Sequence, residues 1–405
     1  MNARYWIFAA LLCASGTTGA APVLIDHRDV DVTRLTLSQI ERAKESLHIA
    51  YGHTSHGSQL TDGMDGLVGF ANGGGKGLAL PANAFAWNNG GSGGALDLHD
   101  YALCNDVGYY PDWVVCTSNY LDDPANADVN VVIWSWCGQM DDKYAAGTLT
   151  NEYLAPMAAF EREYPHVAFV YMTGHVDIWD DADNKAACAA IRAWCATNDR
   201  ILYDFNDIEH HDPDGAYYEF VNDDCSVYAG AGGAAIGNWA TEWQNAHVQN
   251  VDWYDCGSAH SQPLNANQKA YAAWALWCRL GADRDHDGIA DVWEERHGGC
   301  GRFGGGTNDC DHDGVTDWEE FVQDSSPTNA NLRFRIAGIA PTNVPALEFA
   351  TSTGRVYALQ ACDDLAAGGW ASITSRPGTG AAMTLADETA FPGCRAYGVA
   401  VSVPE

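Results

Sequence analysis

Two stretches of the chain carry carboxylates at a spacing suited to one kind of chemistry. Asp283, Asp285, Asp287, Gly288, Asp291 and Glu294 fill every fixed position of the pattern D-x-D-x-D-G-x-x-D-x-x-E, and Asp309, Asp311, Asp313, Gly314, Asp317 and Glu320 fill it again. In such a loop alternate side chains turn inward, the glycine permits the sharp bend, and the last Glu can offer two oxygens. The backbone carbonyls of Ile289 and Val315 would add one oxygen each. A hard cation that takes about six to eight oxygens fits this set, so structural Ca2+ is expected at both loops. A solvated acidic linker is the plainer reading, and the double match argues against it.

A second group of polar residues falls at the ends of apolar runs. It comprises Gly52-His53-Thr54-Ser55-His56-Gly57-Ser58, then Asn88-Asn89-Gly90-Gly91-Ser92-Gly93-Gly94, Cys137-Gly138-Gln139, Thr173-Gly174-His175, and Asp255-Cys256-Gly257-Ser258-Ala259-His260-Ser261. His53, His56, His175 and His260 lie on loops that the element order brings near one another. Imidazole is a common zinc ligand, so a His-ligated metal site is one alternative.

The elements that must position these residues alternate. Short apolar or β-rich runs at Ser46–Tyr51, Val129–Trp136, Val167–Met172 and Arg200–Asp204 are followed or preceded by helix-like runs at Gln59–Phe70, Tyr153–Glu163, Asn184–Ala196 and Asn265–Leu280. Strands alternating with helices predict a parallel sheet covered on both faces, a three-layer α/β/α domain. In such a sheet ligands gather at the carboxyl ends of the strands, just after Tyr51, Trp136 and Met172.

This order resembles the SGNH (GDSL-type) hydrolases over roughly residues 44–281: a Ser turn after the first strand, a Gly-rich loop, an apolar strand ending in Gly and an amide, and a His before the last helix. Here His53-Thr54-Ser55 stands where the family has Gly-Asp-Ser, and Gln139 where it has Asn. Gly257 stands three residues before His260, at the family's Asp position. The run Gly-His-Thr-Ser-His-Gly-Ser-Gln-Leu is also similar to one shared by a group of secreted bacterial proteins. The resemblance implies acyl transfer, with Ser55 as nucleophile and His260 as general base. It implies an oxyanion site built from the Ser55 and Gly93 N–H groups and the Gln139 amide, with Asp255 orienting His260.

The acidic loops resemble dockerin-like or thrombospondin type 3 loops, because a Gly-rich stretch, Gly304 to Gly306, precedes the second one. Beyond residue 329, short runs at Leu332–Ile336, Ala346–Ala350, Val356–Gln360, Ala381–Leu385 and Tyr397–Val401 predict a small β-sandwich. The expected plan is thus a signal peptide over 1–21, a hydrolase domain over 22–281, calcium loops over 282–328 and a β module over 329–405. Arg4, the apolar stretch Tyr5 to Ala14 and small residues to Ala21 suggest export, to a secreted or periplasmic location.

A formal charge of −33 argues against nucleic acid as a partner, since phosphates would be repelled. After Cys13 the cysteine count is even, which in an oxidising compartment favours disulfides. Near-neighbour pairings are Cys104–Cys116, Cys225–Cys256, Cys300–Cys310 and Cys362–Cys394; Cys188 and Cys195, two helical turns apart, are too distant to pair with each other. The leading functional expectation is a secreted serine esterase acting on an ester-bearing substrate, such as an acylated polysaccharide or glycan. A non-catalytic glycan-binding surface protein on the same scaffold and a His-ligated metal-dependent hydrolase are the alternatives.

Overall fold

The computed structural model of the protein describes residues 10–11, 23–164, 167–282, 289–290, 293–294, 297, 308–339, 344–363, 369–389 and 395–403. Outside these lie nearly all of the expected signal peptide, Asp283, Asp285, Asp287 and Asp291 of the first acidic loop, and Cys300 and Cys394. The chain forms two compact units, one over Ala21–Asp285 and one comprising Met1–Ala20 with His286–Glu405.

The larger unit is built on a seven-stranded parallel sheet. Its strands are β1 (Leu24–Ile25), β2 (His48–Gly52), β3 (Trp87–Asn88), β4 (Leu96–His99), β5 (Val131–Trp134), β6 (Ala168–Met172) and β7 (Leu202–Tyr203), in the order β1-β7-β6-β5-β2-β4-β3. The main helices are α1 (Leu37–Ser46), α2 (Ser55–Asn72), α3 (Asp112–Leu121), α4 (Met140–Ala145), α5 (Ala155–Glu163), α6 (Asp181–Asn198), α7 (Phe205–Glu209), α8 (Trp239–Ala246) and α9 (Pro263–Leu280). A hairpin of β8 (Ser226–Tyr228) and β9 (Ala235–Asn238) stands outside the sheet.

The alternation within each strand makes two cores. Ile49, Tyr51, Val131, Ile133, Val170 and Met172 face α1, α2 and α9. Their neighbours Ala50, Val132, Trp134, Phe169 and Tyr171 face α3, α5 and α6. Side chains of period two, apolar on both faces, are what a doubly covered parallel strand requires. Helix α9 is buried along most of its length, and Gly63 lets α2 approach it closely. A Cβ at Gly63 would stand 2.1 Å from the Ala266 carbonyl oxygen.

Several elements differ from the sequence expectation. Helix α2 begins at Ser55, four residues before the predicted run, so Ser55 itself is in the first turn. The run expected at Tyr153–Glu163 opens with a π-helical turn, Thr150–Leu154, before α5. Strands β3 and β4, helix α3 and the β8–β9 hairpin were not foreseen: β3 has two residues, β4 has Asp97 and His99 among its four, and the hairpin lies off the main core.

In the smaller unit, α10 (Asp317–Gln323) precedes β10 (Ile336–Ile339), β11 (Ala346–Ala350), β12 (Val356–Cys362), β13 (Ala371–Pro377), β14 (Ala382–Ala386) and β15 (Ala396–Ser402). One sheet runs β10-β11-β14 and the other β15-β12-β13, with Ala10–Leu11 adding a short parallel strand beside β15. Phe349, Tyr357, Leu359, Leu385, Val399 and Val401 join both sheets in one core, which also takes Val322 of α10. Arg355 donates to the Val322 carbonyl at 2.9 Å, so α10 belongs to this body. The first predicted strand, Leu332–Ile336, is displaced to Ile336–Ile339, and β13 was not foreseen because it is mostly polar and exposed.

Cysteine pairing follows the expectation at Cys104–Cys116, which is a disulfide. It fails at Cys225–Cys256. Both are thiols: Cys225 is buried with Val176 and Trp239 and lies 3.4 Å from Ser261 Oγ, whereas Cys256 faces the Pro263 carbonyl and Asn267. Closeness in sequence did not bring these sulfurs together. Cys188 and Cys195 are buried thiols and, as their helical spacing implied, do not pair with each other. Cys310 is disulfide-bonded, but the Cys300–Cys310 and Cys362–Cys394 pairings involve residues outside those described. Among the described residues no helix is long and apolar enough to cross a membrane.

Candidate functional site

Strand β2 lies between β4 and β5: the chain goes on from β2 to β3 and β4 on one side, and β5, β6 and β7 extend the sheet on the other, so the carboxyl ends of β2 and β5 are a switch point in strand order, where ligands of open α/β sheets gather. The segment after β2 carries His53 to His56, the segment after β5 carries Cys137 to Gln139, and the segment after β6 carries Thr173 to His175. Gly57 is what allows the first turn of α2 to press against these strand ends. A Cβ there would stand 2.3 Å from His53 Cβ and 2.6 Å from Ser135 Oγ.

His56 is the centre of the resulting cluster. Its Nδ1 lies 3.3 Å from Cys137 Sγ and its Nε2 3.2 Å from Asp223 Oδ2. The His175 ring stacks on one side at 3.9 Å between centroids and the His260 ring on the other at 4.5 Å. Ser55 Oγ lies 3.0 Å from His260 Nε2 and 3.3 Å from Cys137 Sγ. His175 donates from Nδ1 to the Val176 carbonyl at 2.7 Å, so in its neutral form Nε2 is the nitrogen that carries the lone pair. One ligand atom from each of His56, His175 and Asp223 lies within 4.8 Å of the other two. His56 and His175 are buried, and Asp223 is half-buried.

Charge in the cluster is shared among its members. The His56 bond, offset in part by burial and reinforced by Ser55 and Thr54, brings the Cys137 thiol down to about 6. Burial works to lower His56, but the bonds to Asp223 and Cys137 outweigh it and raise the imidazole to about 9. Burial also works to raise Asp223, and the His56 bond with the charges of His175 and His56 holds it below the usual carboxylate range. Without a metal, then, the cluster is a carboxylate–imidazolium–thiolate relay at neutral pH. The Cys137 sulfur also sits at the N-terminus of α2, where backbone N–H groups favour negative charge.

A buried ion pair braces the loops that carry these residues. Lys269 is fully buried on α9, and its Nζ lies 2.5 Å from Glu209 Oε1 and in contact with Gln59 Oε1. The other Glu209 oxygen accepts from the Val176 N–H at 2.7 Å, next to His175. The Gln59 amide donates to the Ala259 carbonyl at 2.6 Å, next to His260. Burial works to lower the Lys269 amine, against the opposing pull of Glu209.

The residues singled out in the sequence separate into those that meet and those that do not. Ser55 and His260 are brought together, although His260 is exposed and its backbone is left-handed at φ 65°. Asp255 is exposed, and among the described residues no hydrogen bond joins it to His260, so it does not orient that ring. Gly93 sits in an exposed turn at φ 70° and makes no hydrogen bond to Ser55 among the described residues. Gln139 packs against Gly108, with Oε1 buried and unpartnered. His53 has both ring nitrogens engaged, at 2.7 Å with Asp100 and 2.9 Å with the Thr54 carbonyl, and stands outside the metal-competent group. Asp223 and Cys137 were not foreseen as members. Asp223 is 167 residues from His56, in one of many Asp-rich stretches, so only the fold could select it. Cys137, by contrast, ended a strand beside the amide already singled out.

In the second acidic loop, Asp309, Asp311 and Asp313 each bring a carboxylate oxygen within 4.8 Å of the others. Gly314 has φ 88°, and its N–H donates to Asp309 Oδ2 at 2.9 Å. Asp311 Oδ2, Asp313 Oδ2, Asp317 Oδ2 and Glu320 Oε2 are buried without a hydrogen-bond partner. Burial raises Glu320 to about 8, with the charges of Asp311, Asp313 and Asp317 adding to it. Comparison with known protein families, with curated proteins and with solved structures finds no match to this chain.

Proposed function

We propose that His56, His175 and Asp223 hold a divalent transition-metal ion, and that the larger unit is a metal-dependent hydrolase of acyl esters. Acylated glycans are the substrate class we favour. The observation that carries this reading is the approach of the three ligand atoms to within 4.8 Å of one another. The residues fit such an ion. The His175 tautomer leaves Nε2 available, and ligand atoms around one zinc-class ion stand roughly 3–3.5 Å apart, near the 3.2 Å between His56 Nε2 and Asp223 Oδ2. A bound ion of this class polarises a carbonyl and lowers the pKa of water. His260, paired with Ser55 and exposed, is positioned to carry a proton to or from the reacting group.

A second reading, an SGNH-like serine esterase, is favoured by the 3.0 Å separation of Ser55 Oγ and His260 Nε2. Turnover of p-nitrophenyl acetate before and after chelation separates the two. The metal reading expects activity that chelation removes, that zinc restores, and that His175→Ala and Asp223→Asn abolish together with bound metal. Activity that survives chelation but is lost in Ser55→Ala supports the serine reading instead. The calcium expected at the second acidic loop is also part of this proposal. It is supported by the buried oxygens of Asp311, Asp317 and Glu320 that have no hydrogen-bond partner.

A further inference from the structure

Among the described residues the exposed Trp, Tyr and Phe side chains are Tyr101, Tyr109, Tyr110, Tyr144, Trp179 and Tyr217. All but Tyr217 lie on segments that leave the carboxyl ends of the sheet: Tyr101, Tyr109 and Tyr110 after β4, Tyr144 on α4 after β5, and Trp179 after β6. Exposed rings therefore gather at the end of the larger unit that carries the His56 cluster.

Strand order sets two of them astride it. Strands β2 and β5, whose following segments carry Ser55, His56 and Cys137, lie between β4 and β6. On the β4 side, the Ala102 N–H donates to the Tyr51 carbonyl at 3.1 Å and the Val107 N–H to the Ser135 carbonyl at 3.2 Å, so this loop crosses the strand ends. The Tyr101 ring lies 4.0 Å from the His53 ring, between centroids. On the β6 side, the Ile178 N–H donates to Asn222 Oδ1 at 3.3 Å and Asn222 Nδ2 to Asp223 Oδ1 at 2.6 Å, which ties the turn carrying Trp179 to Asp223. Trp179 is 69% exposed, although tryptophan is highly buried on average, and the Tyr228 ring stands edge-on to it at 6.1 Å.

The surroundings of these rings are mostly hydrogen-bond acceptors. Asp100 directly precedes Tyr101. Asp141, Asp177 and Asp180 bring one carboxylate oxygen each within 4.8 Å of one another, and Asp141 lines a small pocket together with His175. The cations of the neighbouring helices, Lys143 and Lys185, are held by Glu152 and Asp181. Single rings set apart by carboxylates do not make the contiguous apolar patch that marks a membrane or protein partner. They suit pyranose rings, whose C–H face stacks on an aromatic ring and whose hydroxyls donate to acceptors around it. The same carboxylates repel an acidic polymer.

We propose that the strand-end face binds an uncharged polysaccharide chain, with one sugar stacked on Trp179 and another on Tyr101, to either side of the His56 cluster. The two rings are specificity determinants: they hold a polymer across the site, so that an acyl group on an intervening sugar reaches Ser55, His56 and His260. This assignment rests on the reading of the larger unit as a hydrolase of acylated glycans, and adds to it the rings that grip the chain and the exclusion of acidic glycans. It holds for either chemistry at the His56 cluster.

Calorimetric titration of the full chain with xylohexaose tests the assignment, with hexagalacturonate as an acidic chain of equal length. The expected result is saturable binding of xylohexaose, with hexagalacturonate at least about tenfold weaker at low salt. Trp179→Ala should weaken xylohexaose about tenfold or more at unchanged melting temperature, since the ring is exposed. Tyr217→Ala, which removes an exposed ring away from the strand ends, should leave the affinity as it is. Binding needs no turnover, so the two readings fail separately. Xylohexaose bound by a chain that hydrolyses no ester removes the hydrolase and keeps this surface, whereas turnover of p-nitrophenyl acetate without xylohexaose heat does the reverse. No heat with xylohexaose, an affinity that Trp179→Ala leaves unchanged, or hexagalacturonate bound as tightly overturns the proposal.

Discussion

Replacing Lys269 by methionine removes one half of a fully buried ion pair. Lys269 is 0% and Glu209 1% exposed, at 2.5 Å. Methionine has nearly the length of the lysine stem, so packing changes little and the charge is what is lost. Glu209 keeps the hydrogen bonds from Val176 N–H at 2.7 Å and Asn265 Nδ2 at 3.2 Å, but it loses its direct ion pair and interacts with the His56 imidazolium only at longer range. Stranding a buried charge in this way costs about 3–5 kcal/mol. In a unit the size of Ala21–Asp285, each kcal/mol moves the melting temperature by about 2–4 °C, so a drop of roughly 6–20 °C is expected by scanning calorimetry. Adding Glu209→Gln should recover a large part of the loss, because a neutral amide can still accept from Val176 and a dry neutral pair replaces the stranded charge. A Lys269→Met melting temperature within about 2 °C of the parent, or a double variant worse than the single one, would refute the role given to this pair.

The remaining expectations concern the clusters themselves. In chelated protein, iodoacetamide should label Cys137 with a midpoint near pH 6, and His56→Ala should move that midpoint upward; an unchanged midpoint contradicts the His56–Cys137 contact. His56 is raised to about 9 in the folded chain, above an unfolded value near 6.5, so its stabilising contribution is complete below about pH 6.5 and is lost as pH rises through 9. Melting of the metal-free protein should therefore fall between pH 7 and 9.5 by more in the parent than in His56→Gln, and equal slopes would count against the raised imidazole. Calcium titration of the full chain should detect binding that Glu320→Gln weakens by about tenfold or more, and identical isotherms would remove calcium from the second loop.

What could be read from the sequence was whatever repeats locally. The apolar runs of β5 and β6 announced a doubly covered parallel sheet because both faces of those strands are buried, as Val131 to Trp134 and Ala168 to Met172 are. From a parallel sheet it follows that polar residues after Gly52, Trp134 and Met172 share one end, and Ser55, Cys137 and His175 do meet there. What could not be read is what the fold assembles from far apart. Asp223 reaches His56 from a loop between α7 and the outlying hairpin, and no spacing connects the two. Asp255 was the nearest acid to His260 in sequence but points the comparison the wrong way, since proximity along a loop does not set side-chain contact. The same reason explains why Cys225 and Cys256 remain separate thiols. Helix α3 was missed because only Trp113 and Thr117 of its residues are buried, too few to print an apolar period.

The most direct test of the metal reading is X-ray absorption on zinc-titrated protein, compared with His175→Ala and Asp223→Asn. The expected result is one tightly held zinc with imidazole nitrogens and a carboxylate oxygen at about 2.0–2.2 Å, lost or altered in both variants. A parent protein that takes up no zinc, or one whose zinc spectrum is untouched by either substitution, would contradict a metal centre at His56, His175 and Asp223.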